Sequence, residues 1–169
     1  MISWNKVFWF FRALCFKFLF GHVGNNCLIG KPLFIKGFKS ITIENKVRIF
    51  PHSRIEAHNS GEIYIKEGSS IGQNFHIVSS KDRLVIGKSC LISANVFISN
   101  CDHIFGTSEL KEQTTVIGDE CFLGYGVVIL PGTKLGKGCI VGANSVVKGV
   151  YEDHSVIVGN PSRLIRYNK

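Results

Sequence analysis

Several things are scarce in this chain of 169 residues. It has one methionine, two tryptophans, four prolines, and only 12 acidic side chains against 20 lysines and arginines. Acid is scarcest at the start: residues 1–54 hold nine basic side chains (Lys6, Arg12, Lys17, Lys31, Lys36, Lys39, Lys46, Arg48 and Arg54) and Glu44 alone. The other 115 residues carry eleven of each sign. A basic excess confined to one end argues against a surface coated for nucleic acid, and for a cationic end that faces something anionic. No two of the six cysteines form a C-x-x-C pair, and six is too few for a disulfide-dense mini-protein, so reduced thiols in a cytoplasmic protein are expected. No apolar run is long enough to span a bilayer. Residues 1–20 are rich in aromatics, but Arg12 and Lys17 interrupt them and no small-residue cleavage site follows. With 45% hydrophobic and 19% charged residues, the chain is too apolar to be disordered and long enough for one domain with a real core.

What is abundant is glycine, 18 residues of it, and a period of six. Aliphatic side chains recur without a miss at Ile117, Leu123, Ile129, Leu135, Val141 and Val147. A second run is Ile86, Ile92, Ile98 and Ile104. A third passes through Val23, Ile29, Ile35, Ile41 and Val47, lapses at Ser53 and Asn59, and resumes at Ile65, Ile71 and Ile77. Glycine often follows the aliphatic residue, as at Gly24, Gly30, Gly72, Gly87, Gly118, Gly124, Gly136 and Gly142, which suggests corners with positive φ. A six-residue period fits neither a helix nor a simple hairpin. It predicts short flat strands separated by turns and stacked as a parallel solenoid, with the aliphatic residues pointing into the axis. Cys27, Cys90, Cys121 and Cys139 fall four residues after a repeat aliphatic, where Val96, Val127, Thr133 and Ser145 stand in other repeats. That slot takes small side chains, so these thiols read as core packing.

The breaks in the period locate the chemistry. Ile77 to Ile86 is nine residues, which implies a small bulged loop, SSKDR; between Ile104 and Ile117 the spacing fails again, so residues 99–115 leave or distort the coil. A polar excursion from a rigid scaffold is where a site belongs. This one holds Asn100, Cys101, Asp102 and His103. Zinc is not expected: His52 and His58 are six apart and lack a third ligand nearby in sequence.

The stretch IGDECFLGYGVVILPGTKLGKGCIVGANSVVKG (117–149), followed by VIVGNPSRLIR (156–166), resembles the C-terminal half of the hexapeptide-repeat acyltransferases, and in particular the sugar O-acetyltransferases of bacterial O-antigens and capsules. The resemblance covers roughly residues 23–167. It implies a mainly β fold, a left-handed parallel β-helix; the handedness comes from the resemblance alone, because crossovers between parallel strands are otherwise right-handed. It also implies acetyl-CoA as co-substrate, no metal, and a homotrimer with sites at subunit interfaces. His103 takes the place of the family's general base, which would accept the proton of an acceptor hydroxyl as that oxygen attacks the thioester, and Asp102 could orient its ring. His76, Asn100 and Phe122 take substrate-contact positions. Gly124, Tyr125, Gly142 and Ala143 match the channel for the pantetheine arm, and Lys148, Arg163 and Arg166 match basic positions for the nucleotide phosphates. The chain departs from many relatives at Phe122, where tryptophan is common, and at Tyr125, where a small residue is common. A covalent route through Cys101 is the mechanistic rival.

Three segments follow: an amphipathic aromatic and basic segment over 1–20, a solenoid over 21–160, and a C-terminal tail over 161–169. Trp4, Phe8, Phe11, Cys15, Phe18 and Leu19 recur at helical spacing. Such a helix would cap the first coil, pack on another subunit, or lie on the inner face of the cytoplasmic membrane. The expected activity is acetyl transfer to a sugar hydroxyl in bacterial surface-polysaccharide synthesis. A hexapeptide enzyme for a small acceptor (amino sugar, serine or antibiotic) and a non-catalytic scaffold are the alternatives.

Overall fold

Three hexads make one coil, and each hexad contributes a short strand and a turn. The computed structural model describes residues 4–103 and 110–168, so Ile104 of the second run lies outside it. Its strands stack into three flat faces of seven, eight and six strands, which begin at His22–Val23, Leu28–Ile29 and Phe34–Lys36 respectively and are parallel except for the last strand of the second face. The result is a left-handed parallel β-helix. Its interior is a set of in-register aliphatic ladders; on the first face Ile43, Ile65, Ile86, Ile117 and Leu135 pair in succession, all buried. Each fully buried side chain of this size contributes roughly 1.5–3 kcal/mol of burial.

The third run does not lapse; it changes register. The inward triplets are Val23, Ile29 and Ile35, then Ile43, Ile49 and Ile55, then Ile65, Ile71 and Ile77, with Ser53 occupying the small slot four residues after Ile49. The extra residues in each break enter at one corner, between the third face and the next first face. The turn at Lys81 and Asp82 and the hairpin of residues 101–112 are insertions there.

The glycines that follow the aliphatic residues are not the positive-φ positions. Positive φ falls two residues later, at Asn26, Lys46, Asn74, Asn95, Gly126, Gly138 and Asn144 among others. The first set is glycine for another reason: a Cβ at Gly87 would stand 2.5 Å from the carbonyl carbon of Gly118, and one at Gly118 would stand 2.5 Å from the carbonyl oxygen of Gly136. Coils approach too closely there for any side chain. The four slot cysteines are buried as expected, and each thiol donates to a backbone carbonyl of the next coil, as Cys121 does to Gly136 at 3.1 Å.

Helix α1 (Trp4–Leu19) closes the open end of the solenoid, but not with the stripe read from the spacing. Ala13 and Phe20 are buried, Trp9 meets Phe50 edge-on at 5.3 Å, and Phe20 meets Phe38. Arg12 Nη1 donates to the Ile29 carbonyl at 3.0 Å. Phe8, Phe11, Cys15, Phe18 and Leu19 are on the outside, with Phe18 84% exposed. At the other end the expected tail folds back: Arg163–Tyr167 runs antiparallel to Ser155–Val158 and closes the second face.

Candidate active site

The polar excursion is an antiparallel hairpin. Cys101–His103 pairs with Leu110–Glu112, and Thr115 re-enters the coil directly below Leu84. The hairpin rises from the corner between the third and first faces, beside a cleft of about 270 Å³ lined by His76, Val78, Phe97, Ser99, Cys101, Asp102, Leu130 and Pro131. Backbone pairing places His103 opposite Leu110 on this hairpin, while its side chain lies outside the described residues. Asp102 is an exposed member of the lining.

Asn100 corrects the sequence reading. It is fully buried, its Oδ1 accepts from the Ser80 amide at 2.8 Å, and its Nδ2 donates to Ser79 Oγ and to the Asp82 carbonyl, both at 3.1 Å. Those bonds occupy its amide, so Asn100 fastens the base of the hairpin instead of meeting a ligand. Cys101 is a half-buried thiol pushed up mainly by that burial, against the opposing effect of its hydrogen bond with Ser99, and a raised thiol is a poor nucleophile at neutral pH.

Above the cleft lies a cluster that sequence reasoning missed. Strand Arg54–His58 turns Arg54, Glu56 and His58 outward on the third face, and Arg54 pairs in register with His76 on the next coil. Glu56 is 7% exposed although it faces outward. His76 Nε2 donates to its Oε1 and His58 Nε2 to its Oε2, each at 3.1 Å, and Arg54 Nε bonds the same Oε1. The Arg54 hydrogen bond is the main reason the carboxyl is held down to about 2, with His76 and His58 adding to it against the cost of burial. His76 also meets Phe97 edge-on at 5.0 Å. The signal was present as alternation at positions 54, 56 and 58, which puts three polar side chains on one face of a strand. Two imidazoles thus donate to opposite oxygens of one carboxylate; among the described residues no group of three or more His, Cys, Asp or Glu forms a metal site.

Residues 114–149 match the model of the bacterial transferase hexapeptide family (six repeats). The chain is 33% identical over 159 residues to a protein of Escherichia coli K12 named as the lipopolysaccharide biosynthesis O-acetyl transferase WbbJ, covering 85% of this chain and 81% of that one. It belongs to the hexapeptide-repeat acyltransferases. Among solved structures, the N-acyltransferase AntD of Bacillus cereus, in complex with dTDP and 3-hydroxybutyryl-CoA, superposes with a TM-score of 0.83 at 24% identity, over 94% of this chain and 88% of that one. The polysialic acid O-acetyltransferase OatWY superposes with a TM-score of 0.73 at 24% identity, over 87% and 74% of the two chains. At this identity both likenesses speak for the fold.

The residues that the sequence resemblance gives to the acyl donor fall on the opposite edge of the third face. Gly124, Tyr125, Gly142 and Ala143 stack at the corner between the second and third faces, and Arg163 continues the stack because it pairs with Val158, which lies under Gly142. Gly124 is another correction: it is buried and its amide is bonded to the Val141 carbonyl, so it serves the coil. Gly142 likewise gives its amide to Ile157, whereas Tyr125 and Ala143 are exposed. Phe122 points outward on the second face between Leu91 and Ile140, away from His76. Lys148 lies on the hairpin's corner and Arg166 along the second face, so the three basic positions do not converge within one chain.

Proposed function

We propose that this acyltransferase moves an acetyl group from acetyl-CoA to a sugar hydroxyl during synthesis of a bacterial surface polysaccharide. The observation that carries the reading is the hairpin of His103 standing over a cleft on the third face, in a chain one-third identical to WbbJ over most of its length. The acceptor occupies that cleft beside His76. His103 takes the hydroxyl proton as the oxygen attacks the thioester carbonyl; the C–S bond breaks, and the proton leaves with the CoA thiol. Direct transfer needs no acyl-enzyme, which accords with the raised Cys101 thiol.

Tyr125, Gly142, Ala143 and Arg163 are the residues present that fit the donor: a corner of small side chains for the pantetheine arm and a guanidinium for phosphate. They stand across the third face from the hairpin, so a homotrimer that sets one chain's corner beside its neighbour's hairpin completes the site. The exposed aromatic side of α1, at the basic end of the chain, rests on the inner face of the cytoplasmic membrane, where a lipid-linked acceptor would be presented. No described helix is long and apolar enough to cross a membrane.

Acetyl-CoA consumption with lipid-linked oligosaccharides, free oligosaccharides and a nucleotide-linked amino sugar tests the reading. We expect turnover with a sugar hydroxyl, a loss of about a thousandfold in His103→Ala, and near-normal turnover in Cys101→Ala. Turnover only with an amine acceptor would replace the reading, and consumption independent of any acceptor would remove it.

A further inference from the structure

We propose that Glu56 is a positioning residue for the acceptor: it holds His76 through Nε2–H, so that the ring presents Nδ1 as a hydrogen-bond acceptor to a hydroxyl of the sugar in the cleft. The proposal rests on the reading above of where the sugar binds.

The argument is one of donor and acceptor inventory. An ionised carboxylate only accepts, so each imidazole bonded to Glu56 must carry its proton on Nε2. In a neutral ring the other nitrogen is then a bare acceptor. His76 lines the cleft, with Phe97 against its ring, so a hydroxyl-bearing ligand there meets an acceptor of fixed orientation. The carboxylate is itself fixed. It is nearly buried and bridges two coils, with Arg54 and His58 on its own strand and His76 on the next. Its two oxygens divide unequally: Oε1 receives Arg54 and His76, Oε2 receives His58 alone.

That inequality makes a test. In Glu56→Gln the amide has one acceptor and one donor side. The carbonyl oxygen takes the Oε1 place, where two donors arrive, and the amide nitrogen faces His58, whose ring must move its proton to Nδ1. His76 keeps its tautomer. Nitrogen NMR of labelled histidines in the full chain at mildly alkaline pH should therefore find His76 as Nε2–H in wild type and Glu56→Gln, with His58 switched only in the variant. Glu56→Ala should release His76 and raise KM for the acceptor about tenfold, the size of one oriented hydrogen bond, with KM for acetyl-CoA unchanged. Glu56→Gln should restore the acceptor KM to within about twofold, and His58→Ala should leave it unaltered. An Nδ1–H His76 in wild type, or a wild-type acceptor KM in Glu56→Ala, overturns the proposal. Should no sugar support turnover, the function reading has failed, and the tautomers of His76 and His58 in Glu56→Gln still decide whether Glu56 sets them.

Discussion

At the scale of single residues, glycine does two jobs in this solenoid, and a variant pair separates them. Gly118 has no room for a Cβ, which would stand 2.5 Å from the Gly136 oxygen; Gly68 has positive φ, and its Cβ would touch Ser89 at ordinary distances, 3.4 Å from Oγ at the nearest. Gly118→Ala should destabilise the fold by about 2–4 kcal/mol, since backbone must move apart along the coil. Gly68→Asn should stay within about 0.5 kcal/mol, because Asn26, Asn74 and Asn95 already hold the same conformation. Urea midpoints for the two would check this, and equal losses would show that the coil spacing is not the constraint. The sequence displayed glycine in both places, but not the reason for either, because distance to the next coil is invisible in a linear pattern. Asn100 was misread similarly: a polar residue beside a break in the period looks like a ligand contact, and only its three bonds to residues 79–82 show that it anchors the turn.

Single elements show where periodicity suffices and where it does not. The strands were legible because each must bury one aliphatic side chain per hexad. Helix α1 was legible as a helix, but aromatics lie all round it, so spacing could not say which stripe covers the coil. Contact with Phe50 and Phe38 decides for Trp9 and Phe20 and leaves Phe8, Phe11 and Phe18 outside. Replacing those three by serine should abolish cosedimentation with anionic liposomes and leave the melting temperature within about two degrees, since they are exposed already. A fall of many degrees would instead mean that they pack on protein. Strand Arg54–His58 makes a different prediction. Its Glu56 is held down to about 2 from an ordinary 4.5, mainly by Arg54. A lowered carboxyl stabilises the fold once ionised, so the gain is complete above about 4.5 and is lost as pH falls toward 2. Discounted for the half-exposed Arg54, it is on the order of 2 kcal/mol. The stability gap between wild type and Glu56→Gln should be constant near neutrality and shrink through that acid window. A gap that persists at the acid end would assign it to packing instead.

At the scale of the whole molecule, the separation of the hairpin from the corner proposed for the donor is the decisive feature. Every corner insertion lies between the third and first faces, so the hairpin of His103 can only rise there, while Tyr125, Ala143 and Arg163 stack along the other edge of the third face. Within one chain the hairpin is held at its own corner by Asn100 at its base and by re-entry of the chain at Thr115. A trimer whose sites combine one chain's hairpin with its neighbour's corner should therefore allow two dead variants to rescue each other. His103→Ala lacks the proposed base, and Ala143→Trp, at an exposed position, fills the proposed donor corner without disturbing the core. Each alone should be inactive. Refolded together in equal amounts, they should form trimers in which about a quarter of the interfaces pair an intact hairpin with an intact corner, and recover about a quarter of wild-type activity. Mixing after separate folding should recover none until subunits exchange. If co-refolded trimers stay inactive while each variant still melts like wild type, the site is contained in one chain, and the donor must bind on the hairpin's own corner, where Lys148 stands.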